Sequence, residues 1–267
     1  MIQFRLINTY INSHNNQSLK RLINSLKNQK EGNFEILLIS LRQEKEKKSK
    51  KGVLKNKLNR NLNFVELTGF KKIGLSNARN LGLDYALSIP IRKRTFYLFP
   101  DDDCWFSEDF FCSLCRLFEN NLYLQNNSLS LGVYDPKENK IYGRRFIKKE
   151  KELSKVDMFS PISVGLIINS EIFHYHRIKF NSLFGAGSFT CSGEESLLVS
   201  EILNIKSTKI FQIPGLYVFH QNRNLNEPLK EFRYSFGSML LVCFLIKDKQ
   251  IFWPYFYLNF YLLFSTI

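Results

Sequence analysis

No uninterrupted apolar run of membrane-spanning length occurs in this chain, no cleavable leader stands at its N-terminus, and no repeat or low-complexity block divides it. A helix needs about 20 consecutive apolar residues to cross a bilayer, so the expectation is a globular, cytoplasmic protein. Acidic side chains are scarce beside basic ones, 24 Asp and Glu against 38 Lys and Arg, which leaves a formal net charge of +14. That balance favours an anionic partner, whether nucleic acid, anionic lipid or a phosphorylated small molecule, and by itself chooses none. Cysteines number five, an odd count, so disulfides are not expected and a reducing compartment is. Cys112 and Cys115 form a C-x-x-C, but no second Cys/His pair stands at zinc-finger spacing. Phe110, Phe111, Leu114, Leu117 and Phe118 flank them at helical intervals, so the pair reads as core.

What is present suits one substantial core, with 44% hydrophobic residues in 267. Strand-like and helix-like segments alternate through the first third, which predicts an α/β fold with crossover helices. Ile2 to Thr9, Phe34 to Ile39, Asn63 to Leu67 and Thr95 to Phe99 read as strands. Leu19, Leu22, Ile23 and Leu26 share one helical face, and a second helix runs from Ser76, as N-cap, to Pro90. A third helix covers Ser107 to Glu119, and Leu129 to Tyr134, Ile141 to Phe146 and Ser163 to Asn169 read as later strands. The basic stretch Arg42 to Arg60 reads as a solvated loop. At the C-terminus, Met239 to Ile246 and Ile251 to Phe264 are rich in Leu and aromatics. They fit either a membrane-interfacial segment or a buried tail.

Two acidic clusters carry the chemistry. Asp101, Asp102 and Asp103 follow the apolar strand directly through Pro100. Clustered carboxylates at a strand end fit a hard divalent cation, Mg²⁺ or Mn²⁺, and equally a solvated turn that caps the next helix. Position at the carboxyl end of a strand in an open α/β sheet adds weight to the metal. Phe184 to Glu195 reads FGAGSFTCSGEE, a Gly-rich loop entering a helix. Ser192 and Glu195 have capping-box spacing, while a carboxylate beside a Gly-rich loop also suits proton removal from a closely held substrate.

The segments LINTYINSHNNQSLKRLINSLKNQ, GLSNARNLGLDYA, YLFPDDDCWF and GAGSFTCSGEESLLVSEIL, in this order, resemble the family 2 glycosyltransferases of the GT-A fold. The resemblance covers roughly residues 1 to 220 and implies a Rossmann-like mixed sheet with flanking helices. It also implies transfer of a sugar, with inversion, from a nucleotide diphosphate donor to an acceptor hydroxyl. By that likeness the D-x-D acids fall on Asp101 and Asp103, with Asp102 between them, touching the donor's ribose and holding Mn²⁺ or Mg²⁺ on the diphosphate. Arg79 and Asn80 would line the nucleotide side, with Thr9 and Tyr10 loosely preserving the motif after the first strand. Glu195 would be the base, with Glu194 as the fallback or acceptor-orienting acid, and His220 would stand near the metal.

One departure is plain. Relatives carry an acid after the second strand that pairs with the base, whereas this chain reads LLISLRQE with Ser40 there. The expectation is a GT-A domain over 1–221, with a nucleotide half about 1–105 and an acceptor half about 106–221, then a helical, membrane-interfacial segment over 222–267. The donor expected is a UDP-sugar. The acceptor expected is a surface polysaccharide or lipid-linked glycan, contacted by Met158 to Ile168 and the tail, at the anionic cytoplasmic face of a membrane. A catalytically silent relative and a metal-dependent nucleic-acid enzyme are the competing classes; no motif supports the second, and binding to nucleic acid is not expected.

Overall fold

Strand β1 (Ile2–Ile11) forms the spine of the molecule because seven of its ten residues are buried, including five in a row, which demands strands on both flanks and cover on both faces. The computed structural model describes residues 1–11, 16–44, 50–142, 149–221, 236–237 and 239–243. The chain continues through α1 (Gln17–Lys27), β2 (Phe34–Glu44), β3 (Gly52–Lys57), β4 (Leu62–Lys71), α2 (Leu75–Ser88), β5 (Arg94–Leu98), β6 (Cys104–Trp105) and α3 (Phe110–Asn120). Then come β7 (Ser128–Asp135), β8 (Lys140–Tyr142), β9 (Lys151–Glu152), β10 (Leu166–Asn169), α4 (Ser170–His176), α5 (Glu194–Leu203) and β11 (Ile210–His220).

One mixed sheet of 11 strands results, ordered β3-β4-β2-β1-β5-β10-β7-β11-β6, with β8 on β7 and β9 on β11. Strands β4, β2, β1 and β5 run parallel, so their carboxyl ends gather on one edge. β10 runs antiparallel between β5 and β7, and β6 returns antiparallel to β11. Alternation sends Phe4, Leu6, Ile36, Leu38, Phe96 and Leu98 toward α1 and α3. Ile7, Ile39, Tyr97 and Phe99 face α2, α4 and α5 instead. Phenylalanines dominate the first face, where Phe96 stacks on Phe118 at 4.5 Å between ring centroids.

Helix α2 lies close on β1 because Gly82 has no side chain; a Cβ there would stand 2.6 Å from Ile7 Cγ2. Fully buried Arg5 fixes the other end of α2. Its Nη1 donates to the carbonyls of Ala86 at 2.5 Å and Ile89 at 2.9 Å, and its Nη2 to that of Pro90 at 3.0 Å. A cation on the last carbonyls of a helix satisfies groups that the helix itself leaves open.

Three expectations need correction. The basic stretch after Arg42 is not all loop: β2 runs on to Glu44, and Gly52–Lys57 pairs antiparallel with β4 as an edge strand. Its exposed lysines are what keep such an edge from pairing with other chains; residues 45–49 lie outside the described ones. Helix α2 starts from Gly74, not from Ser76, which is buried within its first turn. Ser163–Gly165 forms a 3-10 turn, and only Leu166–Asn169 is strand. Of the strand expected at Ile141 to Phe146, residues 143–146 lie outside the described residues, as does the C-terminal tail from 244. Residues 236–237 and 239–243 are helical. Among the described residues no helix is long and apolar enough to cross a membrane.

Candidate active site

The acidic turn is held from beneath by a row of polar side chains at the carboxyl ends of the parallel strands. Ser40 on β2 donates to Asn8 Oδ1 on β1 at 2.9 Å, and Asn8 Nδ2 donates to the Pro100 carbonyl at 3.1 Å. All of these contacts are buried, where an unmade hydrogen bond is costly, so the turn has one low-energy placement. The backbone N–H of Cys104 donates to the Asp101 carbonyl at 3.2 Å and closes the turn. From α1, Arg21 Nη2 donates to the Asp103 carbonyl at 2.7 Å while its guanidinium lies 3.8 Å from the centre of the Trp105 ring.

Strand pairing then places a histidine at the turn. Cys104 on β6 stands opposite His220 on β11, and His220 Nε2 lies 3.1 Å from Asp103 Oδ1. Ligand atoms of Asp103, Cys104 and His220 all fall within 4.8 Å of one another. Burial and the charges of Asp101 and Asp103 push the Cys104 thiol well above its ordinary range, which is how a thiol responds to negative neighbours. An oxygen, nitrogen and sulfur set at this spacing is chemically able to hold a divalent ion.

The second acidic cluster is shaped by glycine. Gly185 has φ +101°, and a Cβ there would lie 2.9 Å from Ser76 Oγ and 3.1 Å from Glu194 Cδ. Ser76 Oγ donates to the Phe184 carbonyl at 2.6 Å, and the Leu75 N–H to that of Ala186 at 2.9 Å, so the loop is tied to the start of α2. The expected capping box does not form: Gly193, at φ +92°, is the N-cap of α5, with no side-chain cap bond. Glu194 and Glu195 are thereby the first two helical residues. Leu241 of the C-terminal helical residues packs with Phe184 and Leu197 against this loop.

Arg79 joins the two clusters. It is 1% exposed; its Nη2 donates to Asp101 Oδ1 and to Ser163 Oγ, both at 3.0 Å, and its Nη1 to Glu194 Oε1 at 3.4 Å. The guanidinium fork suits this double engagement better than an ammonium would. Glu195, beside it, is partly exposed. Part of the residue meets solvent, yet the protein packed around its carboxyl first, and the Glu194 charge second, push that carboxyl well above the usual range, with Arg79 pulling weakly the other way.

The remaining expected residues are placed as follows. Asn80 has both ends of its amide on the backbone of Phe180, at 2.8 and 2.9 Å, and so clasps that loop. Thr9 is half-buried at the end of β1. Tyr10 is buried, its hydroxyl donating to Glu66 on β4, and burial and Glu66 together raise its pKa. Asp102 is half-buried. Met158, Val164 and Leu166 to Ile168 are core residues, leaving Phe159, Ser160 and Ile162 as the partly exposed part of that segment.

Comparison with known proteins bears on this geometry. The sequence model of glycosyl transferase family 2 matches residues 7–173, from β1 through the acidic turn into α4. The chain belongs to glycosyl transferase family 2. Its GT-A fold is shared with TarS 1-349 of S. aureus in complex with UDP-GlcNAc, with a TM-score of 0.61 and 14% identity over 95% of this chain and 71% of that one. The mannosyltransferase PcManGT of Pyrobaculum calidifontis, in complex with GDP-Man and Mn²⁺, gives 0.60 and 12% over 98% and 72%. No curated protein matches in sequence. This glycosyltransferase carries its GEE loop and His220 beyond the residues that the family model matches.

Reading the sequence missed Asn8, Ser40, Arg21, Ser163 and Cys104. For Cys104 a signal was present, since it follows the Asp triplet directly. For the others there was none, because each acts on a residue at least 32 positions away.

Proposed function

We propose that this glycosyltransferase moves a sugar, with inversion, from a UDP-sugar to a hydroxyl of a surface polysaccharide or lipid-linked glycan. The observation that carries the reading is the Arg79 bridge: one buried guanidinium ties Asp101 of the acidic turn to Glu194 of the Gly-rich loop. The acidic turn and the helix start that carries Glu195 are thereby held side by side. Asp103, Asp101 and His220 are the residues that would hold Mn²⁺ or Mg²⁺. Such an ion, when bound, neutralises the charge growing on a departing nucleoside diphosphate.

At that site the chain's own groups divide the work. Glu195 takes the proton of the acceptor hydroxyl as the hydroxyl oxygen bonds to the anomeric carbon and the bond from that carbon to the diphosphate oxygen breaks. A carboxyl held above its ordinary range is matched to this task near neutral pH. Glu194, fixed by Arg79, orients Glu195 and keeps its neighbourhood negative. Arg79 positions both loops from behind, Asp101 and Asp102 face the nucleotide beside Thr9 at the end of β1, and Tyr10, buried on Glu66, supports that strand end. The acceptor approaches over the Gly-rich loop and the C-terminal helical residues packed on it, with residues 1–221 forming the transferase domain. The basic surface suits an enzyme working beside an anionic membrane.

The two complexes compared above carry different bases, TarS with UDP-GlcNAc and PcManGT with GDP-Man, so the base is a direct experimental question. Calorimetric titration of UDP and of GDP, with and without Mn²⁺, tests the reading. Metal-dependent UDP binding lost in Asp103→Ala supports it. UDP affinity in the presence of Mn²⁺ that is unchanged by Asp103→Ala removes Asp103 from the site, and binding of GDP alone replaces the donor.

A further inference from the structure

A cation site made only of Asp101, Asp103 and a histidine would be a hard site, yet Cys104 changes its character. Its side chain is fully buried, and its sulfur, an Asp103 carboxylate oxygen and a ring nitrogen of His220 lie within 4.8 Å of one another. The backbone keeps the three residues together. Asp103 and Cys104 are consecutive, Cys104 is directly opposite His220 in the β6–β11 pair, and Arg21 clamps the Asp103 carbonyl.

The spacing can be compared with that of a tetrahedral ion. With nitrogen and oxygen ligands at about 2.1 Å and sulfur at about 2.3 Å, ligand atoms stand roughly 3.4 to 3.7 Å apart. The oxygen and nitrogen here are 3.1 Å apart, so a few tenths of an ångström of opening would admit the ion. The sulfur lies within 4.8 Å of both, so closing by at most about 1.2 Å, within the reach of a side-chain rotation, brings it to ligand distance. Magnesium prefers six oxygens in octahedral array, a demand that two of these three donors cannot meet. Imidazole and thiolate favour metals later in the first row and softer ones.

We propose that Cys104 is a ligand of the metal site, so that Asp103, Cys104 and His220 together select borderline and soft divalent ions, Co²⁺, Zn²⁺ and Cd²⁺, over Mg²⁺. Binding forms a metal–sulfur bond and releases the thiol proton to solvent. The consequence for the enzyme is a donor site whose metal is exchanged readily for a thiophilic one. This rests on Asp103 and His220 being metal-facing, as the donor reading requires.

The test uses the full chain, kept reduced with a phosphine, and CoCl₂ as the probe. A sulfur-to-cobalt charge-transfer band in the near ultraviolet is expected, together with the intense visible bands of a four-coordinate cobalt. Cys104→Ser should abolish the charge-transfer band and weaken Cd²⁺ by about tenfold or more while weakening Mn²⁺ less. Cys112, Cys115, Cys191 and Cys243 remain in that variant, so a band that survives the substitution overturns the proposal. Should Cys104→Ser fail to fold, X-ray absorption at the cobalt edge of the wild type counts sulfur neighbours directly, and none overturns it as well. Cobalt bound without sulfur while UDP still binds with Mn²⁺ sinks the cysteine ligand and leaves the donor reading intact. A sulfur band in a protein that binds neither UDP nor GDP does the reverse.

Discussion

Arg79→Met separates a bridging arginine from one that faces the donor. The substitution keeps an unbranched side chain in α2 and removes the guanidinium from Asp101, Glu194 and Ser163. Glu194 has a side chain only 8% exposed, so it loses its Arg79 partner in a place where water replaces it poorly. Breaking a buried ion pair costs about 3–5 kcal/mol. The Asp101 side chain is 37% exposed, so that half of the bridge is screened and adds under about 1 kcal/mol. The 3.4 Å Glu194 contact is a long one, which places the whole loss near 3 kcal/mol, the lower end of that range. For a chain of this size that is a fall in Tm of about 6–12 °C. Arg79→Lys should fall between, because one ammonium cannot engage both carboxylates in the same geometry. Differential scanning fluorimetry reads the loss, and UDP calorimetry beside it reads the donor site. If Arg79→Met melts within about 2 °C of wild type while UDP affinity collapses, the guanidinium serves the nucleotide and the bridge argument is wrong.

Three further outcomes are expected. Glu195→Gln should bind UDP and Mn²⁺ as wild type does and lose roughly 10² to 10⁴ in turnover by a UDP-release assay; unaltered turnover would remove Glu195 as base. Because the folded protein holds the Glu195 carboxyl above its ordinary range, wild-type activity should rise with pH through that raised value. Over the same span the folded state binds more protons than the unfolded one, so wild-type stability should fall relative to Glu195→Gln; parallel stability curves would show that the carboxyl is not perturbed. Gly185→Ala should lose about 1–3 kcal/mol from the left-handed backbone alone and more from contact with Ser76 and Glu194, whereas Gly187→Ala, with φ +77° and only a 3.5 Å approach to Gly74, should lose the backbone part only. Equal melting of the two would show that the Gly185 contact is relieved without strain.

The parallel half of the sheet was legible because its physics is local. β1, β2 and β5 are buried on both faces and read as short apolar runs, and the apolar stripe of α1 falls on Leu19, Leu22 and Leu26. Strand β3 was not legible, since five of its six residues are exposed and the sixth is a glycine. Its pairing is a backbone matter that an edge strand settles with β4, and side-chain alternation carries no trace of it. The N-caps failed for a related reason. Serines at capping distance predicted starts at Ser76 and Ser192, but the loop and the helix meet there, so Ser76 is turned to the Phe184 carbonyl and glycines take the caps.

In the site, the acids announced themselves and the groups that aim them did not. Charge clustering is visible in a string of letters, whereas Arg79 meets Glu194 across 115 residues and Ser163 across 84, distances at which no local rule operates. The absent acid after the second strand is the most instructive case. Ser40 occupies that position, and its hydroxyl is turned inward to Asn8, which holds the Pro100 carbonyl at the head of the acidic turn. A carboxylate in that buried place would stand beside the Asn8 side-chain oxygen with no proton to offer it, and the row that fixes the turn would lose a member. What looked like a missing nucleotide contact is therefore a supporting contact of the acidic turn, and Ser40 is not free to contact a base.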